Sequence, residues 1–311
     1  MSGKEYQKIE KVIKGIATDL LLLKVGDRLT PISNYQEKYG VARGTVQNAI
    51  SFLKKKHAIE LEGKGHSGTF IRKIDYSTLQ EYSSRKRIMG VLPILSSYTF
   101  YGLSTALNLL LRDLNCDFAY SRGSESRIRM VVDGNCEFAI CSKLSANMAI
   151  ESGLNIKILA NFGKKSYHSN HALVFRNHSK TKIEPGMKIL IDTKSIDHAV
   201  LINNLIKDIN GVILVKTRFS QTLQFLKKEK IDVSLWNYDE LGLTGFEGFN
   251  VVPLEIGPEL EDLSTAVMIV RSDDEFCDKV LRKYIDLSEF SRIQKGVIEK
   301  IFERKNFLIR P

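Results

Sequence analysis

Arg43, Gly44, Thr45 and Gln47 stand just behind a glycine-closed turn and open a run in which Val46, Ala49, Ile50 and Leu53 recur at helical spacing. At the first turn of a helix an arginine can pair bidentately with guanine and a glutamine with adenine, while unpaired backbone N–H groups favour phosphate. That chemistry is the reading of double-stranded DNA. Lys64, Gly65 and His66 lie in a later glycine-rich stretch, from which a cation and an imidazole could reach the neighbouring minor groove. Lys54, Lys55 and Lys56 face either solvent or phosphate.

A second set of polar residues falls where apolar runs give way to amphipathic ones. These are Ser96, Ser97 and Tyr98, then Arg122 and Ser124, then Ser142, Thr193 and Ser195, then Arg218 and Trp236. Hydroxyls and arginines at strand-to-helix junctions suit a small anion, because helix N-termini leave N–H groups unpaired there. Each serine or threonine alone reads more readily as an ordinary helix cap than as a ligand contact. Arg122 and Arg218 are the stronger candidates, since folding has less need of an arginine at such a place. Trp236 is either core or a ligand-stacking wall. His168 and His171 have i, i+3 ligand spacing but no carboxylate or cysteine companion, and Cys116, Cys136, Cys141 and Cys277 form no C-x-x-C pair. No metal or cofactor is expected, and the four thiols read as reduced. The absence of a G-x-S-x-G elbow, a Walker loop or a placeable carboxylate pair argues against an enzyme.

The elements that must carry these residues follow from periodicity. Ile9, Val12, Ile13, Ile16, Leu20 and Leu23 mark a first amphipathic helix closed by Gly26 and Asp27. Ser33 is placed to cap a short second helix bearing Tyr35 and Tyr39, which Gly40 ends. Thr45–Lys55 forms the third helix, and Ala58–Leu61 with Thr69–Lys73 a β-hairpin around a glycine-rich turn. Helix, helix, helix and hairpin make a winged helix over 1–74. Residues 75–87 are polar and aperiodic and read as a linker. From Ile88 short apolar runs alternate with amphipathic helices in two series separated near Pro185, the pattern of βαβ units with mostly parallel sheets. Ile156–Phe162 and Ala172–Phe175 read as connecting strands. This places an α/β domain over 88–311, with lobe one at about 88–170 plus a C-terminal segment and lobe two at about 180–250.

The charge is +10 over 311 residues, and half of the excess lies before residue 85, where 14 Lys and Arg face 9 Asp and Glu. This local surplus suits a polyanionic partner. No apolar run approaches the roughly 20 residues of a membrane span, and the start lacks a signal-peptide layout, so a cytoplasmic protein is expected. DNA reading through a palindromic operator requires a homodimer. Phe290, Ile293, Val297 and Ile301 offer a dimer surface or pack on their own lobe.

The stretch from Gly26 to Ile71 resembles the N-terminal domain of the GntR family. The matching residues include Gly26, Leu29, Pro31, Ser33, Gly40, Val41, Arg43, Thr45, Val46, Ala49, Leu53, Gly63, Gly65, Gly68, Thr69 and Phe70. The resemblance implies a transcription regulator with its reading helix anchored on Arg43 and Thr45. The family usually has serine where this chain has Ala42, and arginine where it has Gln47; the first change removes a helix cap and both imply an altered operator. The remainder resembles a two-lobed, type II periplasmic-binding-protein-like domain, and the overall layout is similar to the YhfZ group. That likeness implies a ligand cleft between the lobes but names no ligand.

Overall fold

A computed structural model describes residues 3–168, 170–238, 240, 246–254 and 257–308. Chain contacts divide the protein into two units. One is built on Met1–Ile88 with Leu111–Asp117 and Lys279–Lys283, and the other comprises Met89–Leu110, Phe118–Asp278 and Tyr284–Pro311.

The first unit opens with α1 (Gly3–Leu21), whose apolar stripe Val12, Ile16, Ala17, Leu20 and Leu21 is buried. Against it pack α2 (Ile32–Tyr39) and α3 (Arg43–Lys55), the latter burying Val46, Ala49, Ile50 and Leu53. Lys38 on α2 pairs with Asp19 on α1 at 2.7 Å. The hairpin is β1 (Ile59–Gly63) antiparallel to β2 (Thr69–Ile74), with a register shift between Glu60 and Leu61. The chain at Gly26–Leu29 adds to β2 as a third, short strand-like segment: Leu29 N–H donates to Thr69 O at 2.8 Å and Ile71 N–H to Asp27 O at 3.0 Å.

Two expectations change in this unit. Ser33 does not cap α2. The helix begins one residue earlier, Pro31 occupies the capping position without a side-chain bond, and the Ser33 hydroxyl instead reaches Asn34 Oδ1 at 3.3 Å. The stretch read as a linker contains α4 (Tyr76–Tyr82), capped by the Asp75 carboxylate on Thr78 N–H at 3.0 Å. Leu79 and Gln80 are buried there. Gln80 donates to Asn115 O and accepts from Asn115 N–H, a pairing too distant in sequence for local composition to reveal.

The second unit is two α/β lobes. In lobe one, β3 (Ile88–Pro93), α5 (Tyr98–Leu110), β4 (Cys116–Ser121), α6 (Ser124–Val132), β5 (Phe138–Ser142), α7 (Lys143–Glu151) and β6 (Ile156–Asn161) follow in order. The chain then crosses to lobe two, with β7 (His171–Phe175), β8 (Lys188–Ile191), α8 (Ile196–Ile206), β9 (Ile213–Lys216), α9 (Thr222–Lys227), β10 (Val233–Asn237) and β11 (Asn250–Leu254). It returns as β12 (Ala266–Arg271), followed by α10 (Glu275–Tyr284) and α11 (Leu287–Leu308).

The sheet orders are β4-β3-β5-β12-β6 and β11-β7-β10-β8-β9. The sheets are mixed where mostly parallel pairing was expected. β12 runs antiparallel to both β5 and β6, and β7 antiparallel to both β10 and β11, because each of these strands starts as the chain arrives from the other lobe. Accordingly Ile156–Asn161 and His171–Phe175 are members of the two sheets, and the crossings lie after β6 and after β11. Val91, Ala139, Val267 and Ile269 centre the core of lobe one, and Ile189, Val233, Leu201 and Ile202 that of lobe two. Helix α11 lies along α5, with Phe290 fully buried and stacked on Phe162 at 4.1 Å. Phe290 therefore belongs to its own domain and is not part of a dimer surface. No helix among the described residues is long and apolar enough to cross a membrane.

Candidate functional site

On the winged helix, the inward stripe of α3 leaves Arg43, Gly44, Gln47, Asn48, Ser51, Lys54 and Lys55 on the outer face, all exposed. Arg43, Gln47 and Asn48 make no side-chain hydrogen bond or ion pair among the described residues. Thr45 is partly buried at the first turn. Ala42 holds the capping position with no side-chain hydrogen bond to the helix; Thr45 N–H bonds the Ala42 carbonyl at 3.0 Å, and the Arg43 and Gly44 N–H groups have no acceptor among the described residues. At the wing tip His66 is exposed, while the Lys64 ammonium lies 5.1 Å above the Phe70 ring and 3.9 Å from Glu62. The face offers amide, guanidinium and ammonium donors and carries no carboxylate on α3.

In the second unit a cleft of about 810 Å³ opens between the lobes. Its walls are strand ends and helix starts: the β4–α6 junction and Ser96 from lobe one, the β8–α8 and β9 junctions and the end of β10 from lobe two, with Tyr167 and His168 from the crossing segment. Alternation fixes this arrangement, since the parallel strands of each lobe end at the same sheet edge and the helices that follow them begin there. The volume lies in the range of small-molecule sites.

The centre of the cleft is a buried polar network. Arg127, on the inner face of α6, is 2% exposed; its guanidinium donates to Ile140 O and Ser121 O at 2.7 Å each and to the Tyr167 hydroxyl. The Asp197 carboxylate, from the first turn of α8 in lobe two, accepts from Ser142 Oγ at 2.5 Å and Ser145 Oγ at 2.7 Å, both in lobe one. Burial raises the Asp197 pKa above the usual carboxylate range, while these hydroxyls and Arg127 oppose the shift. A second link between the lobes runs from Ser96 Oγ to Glu240 Oε1 at 2.6 Å. Gly123 adopts φ +76°, and a Cβ there would stand 2.7 Å from the Lys194 carbonyl oxygen, so the two lobes meet backbone to backbone at this point.

Histidines and aromatic rings form the floor. His168 contacts Asn237 Nδ2 through Nδ1 at 3.1 Å and lies 5.2 Å from the His171 ring. His198 Nδ1 accepts from Asp192 N–H at 3.4 Å. Burial pushes the pKa of His171 and of His198 down to about 4 and that of His168 well below its ordinary value, so all three rings are neutral at pH 7. Trp236 is stacked on Phe219 at 4.0 Å and edge-on to Phe246 at 4.7 Å. Both neighbours cover the indole, so it is not a free stacking wall; Nε1 of Trp236 and Nδ1 of His171 are buried without a hydrogen-bond partner among the described residues.

Residues 75–305 match the family described as the YhfZ C-terminal domain, and residues 24–71 match a helix-turn-helix domain family. The chain belongs to the YhfZ family. It is 24% identical over 291 residues to the uncharacterized protein YhfZ of Escherichia coli K12, covering 92% of this chain and 94% of that one. The crystal structure of YhfZ from Shigella flexneri superposes with a TM-score of 0.59 at 23% identity, over 72% of this chain and 95% of that chain. The periplasmic aliphatic sulphonate binding protein SsuA from Escherichia coli shares the fold at a TM-score of 0.52 and 12% identity, over 70% and 75%. The second unit of this YhfZ-family chain thus has the two-lobed periplasmic-binding-protein fold.

The structure sorts the sequence candidates in this YhfZ domain by what they touch. Ser96, Arg122, Ser124, Ser195, Arg218 and Trp236 line the cleft. Ser97 does not: it is fully buried and its hydroxyl accepts from Phe100 N–H. Tyr98, buried on α5, and Thr193, exposed, are not among the lining residues. Ser142 lies beneath the cleft, where its hydroxyl accepts from Ser145 N–H while donating to Asp197. Ser195 both caps α8, on His198 N–H, and lines the cleft. Sequence reasoning missed Arg127, Asp197, Tyr167, Glu240 and the burial of the histidines. The i, i+3 pair His168 and His171 was the one signal for the floor; among the described residues it forms part of no cluster suited to a metal ion.

Proposed function

We propose that this YhfZ-family chain is a cytoplasmic, GntR-like transcriptional regulator, which binds double-stranded operator DNA as a homodimer and senses a small anionic metabolite between its lobes. The observation that carries the reading is the pairing of two unengaged surfaces. Among the described residues, the outer face of α3 presents Arg43, Gln47 and Asn48 without a side-chain hydrogen bond or ion pair, and the cleft presents Arg122 and Arg218 likewise. Unpaired arginines at a ligand-sized cleft favour an anion, and unpaired amides and guanidinium on a helix face favour base edges. In this reading Ser33, Gly44, Thr45, Lys64, Gly65 and His66 position the helix and wing, and 1–74 is the DNA-binding domain. An enzyme has less support, because the cleft histidines are neutral and none bonds to a hydroxyl or thiol nucleophile among the described residues.

The test is a mobility shift of the full chain on the DNA upstream of its own gene at low salt. The expected result is a retarded complex over two half-sites about one helical turn apart. It should weaken steeply as salt rises. A chain that retards no duplex at low salt overturns the reading.

A further inference from the structure

We infer that the anion recognised in the cleft is a phosphate monoester, with its phosphoryl group seated on the start of α6 among Arg122, Lys194 and Arg218. This deepens the anion-sensing reading and rests on it.

Four observations converge on that place. Arg122 from lobe one, and Lys194 and Arg218 from lobe two, all line the cleft, all are exposed, and none has a side-chain partner among the described residues. The cleft also carries carboxylates, and Asp192 lies beside Lys194 and Arg218 with its oxygens accepting from Lys194 N–H and Phe219 N–H. None forms an ion pair with the three cations among the described residues, and cations drawn from both lobes and left unpaired fit an anion shared between them. Gly123 brings Arg122 and Lys194 into register: its positive φ and missing Cβ allow the β4–α6 turn to touch the Lys194 carbonyl, an approach any other residue would block.

The start of α6 is also open. Its capping residue is Gly123, with no side chain, whereas α7 and α8 are capped by Ser142 and Ser195. The Ser124, Glu125 and Ser126 N–H groups have no acceptor among the described residues, and a helix start of this kind binds phosphate oxygens. Glu125, the acid of that turn, leans toward Arg129 at 3.8 Å. Finally, Trp236 and His171 are among the residues that line the same cleft, both more than nine-tenths buried, and Trp236 Nε1 and His171 Nδ1 lack hydrogen-bond partners among the described residues.

Charge decides the class. A carboxylate brings one negative charge, whereas a phosphate monoester brings about 1.5 to 2 at pH 7 and three acceptor oxygens, a closer match to three cations plus a row of N–H donors. Neutral histidines below the mouth suit an uncharged body.

The test titrates the full chain with sodium phosphate, sodium acetate and sodium chloride at matched ionic strength and pH 7.5, by isothermal calorimetry and by the emission of Trp236, the sole tryptophan. Phosphate is expected to bind saturably and acetate at least 10-fold more weakly. Arg122→Ala and Lys194→Ala, both at exposed positions that leave the cores intact, should each weaken phosphate at least 10-fold with an unchanged circular dichroism spectrum. Acetate binding as tightly as phosphate, with the same dependence on the two residues, overturns the phosphoryl assignment and leaves the anion reading standing. Phosphate binding that neither substitution moves overturns the site. If no anion binds at all, both readings fall.

Discussion

Acidification should loosen the cleft through His171 and His198. Burial holds both rings at a pKa of about 4, against the ordinary histidine value near 6.5. Above pH 6.5 the rings are neutral both in the folded protein and in any state that exposes them, so they add nothing to the pH dependence. Between pH 6.5 and 4 the exposed state takes up protons and the folded state does not, so stability falls as pH falls. By pH 5 the loss is about 2 kcal/mol per histidine, and below pH 4 it levels off near 3 kcal/mol each. The two effects do not simply add, because a charge on His198 disfavours one on His171. Against a typical domain stability of about 5–15 kcal/mol this is a large fraction. Urea unfolding followed by Trp236 emission should show a midpoint that is level from pH 8 to 7 and drops from pH 6.5 to 5. His171→Gln should flatten that drop by roughly half. The direct check is an NMR titration of the imidazole protons. Midpoints near 6.5 for His171 and His198 would refute the reasoning, because rings that titrate normally are hydrated.

Other consequences are equally specific. Arg43→Ala should weaken operator binding by about 10- to 100-fold in a mobility shift without altering thermal stability, because its exposed side chain makes no hydrogen bond or ion pair among the described residues. Gly15→Val should destabilise the winged helix, since the Tyr39 phenol already fills the space a Cβ would occupy; a fall in the thermal midpoint reads this. Arg127→Met should destabilise by about 1–3 kcal/mol for each buried acceptor it leaves unsatisfied, here the Ile140 and Ser121 carbonyls, with the Tyr167 hydroxyl losing its donor as well. Denaturant titration measures it, and an unchanged midpoint would show that the guanidinium is hydrated.

The sequence was most legible where structure is local. Apolar recurrence located α1 and α3, and the glycines around Lys64 located the wing, because a helix stripe and a tight turn depend on residues only a few positions apart. Arg122, Ser124, Ser195 and Arg218, expected at strand-to-helix junctions, line the cleft because parallel strands followed by helices end at one edge of the sheet. The same expectation failed at Ser97, Tyr98 and Thr193 because the same residue types cap helices or face solvent at any junction. Arg127 was invisible for a different reason. A basic residue within an amphipathic helix resembles a solvated one, and only the carbonyls of Ser121 and Ile140 and the Tyr167 hydroxyl, brought in by other elements, make it a core residue. Likewise Asp197 stood beside its cap Ser195 as an ordinary first-turn acid, until Ser142 and Ser145 of the other lobe met it. The linker reading of 75–87 missed α4 because Gln80 finds its partner at Asn115.

The path of the chain between the lobes sets the order in which they can be completed during synthesis. Lobe two is one continuous stretch whose first and last strands are neighbours, His171 paired with Leu254, so all five strands of its sheet exist once Leu254 has been made. Lobe one begins earlier and finishes later. Its strands β5 and β6 are separated in the sheet by β12, and they remain without that bridge until Ala266–Arg271 emerges. A nascent chain halted between these points carries a finished second lobe and a first lobe with exposed strand edges, the half most open to wrong pairing and most in need of protection while it waits.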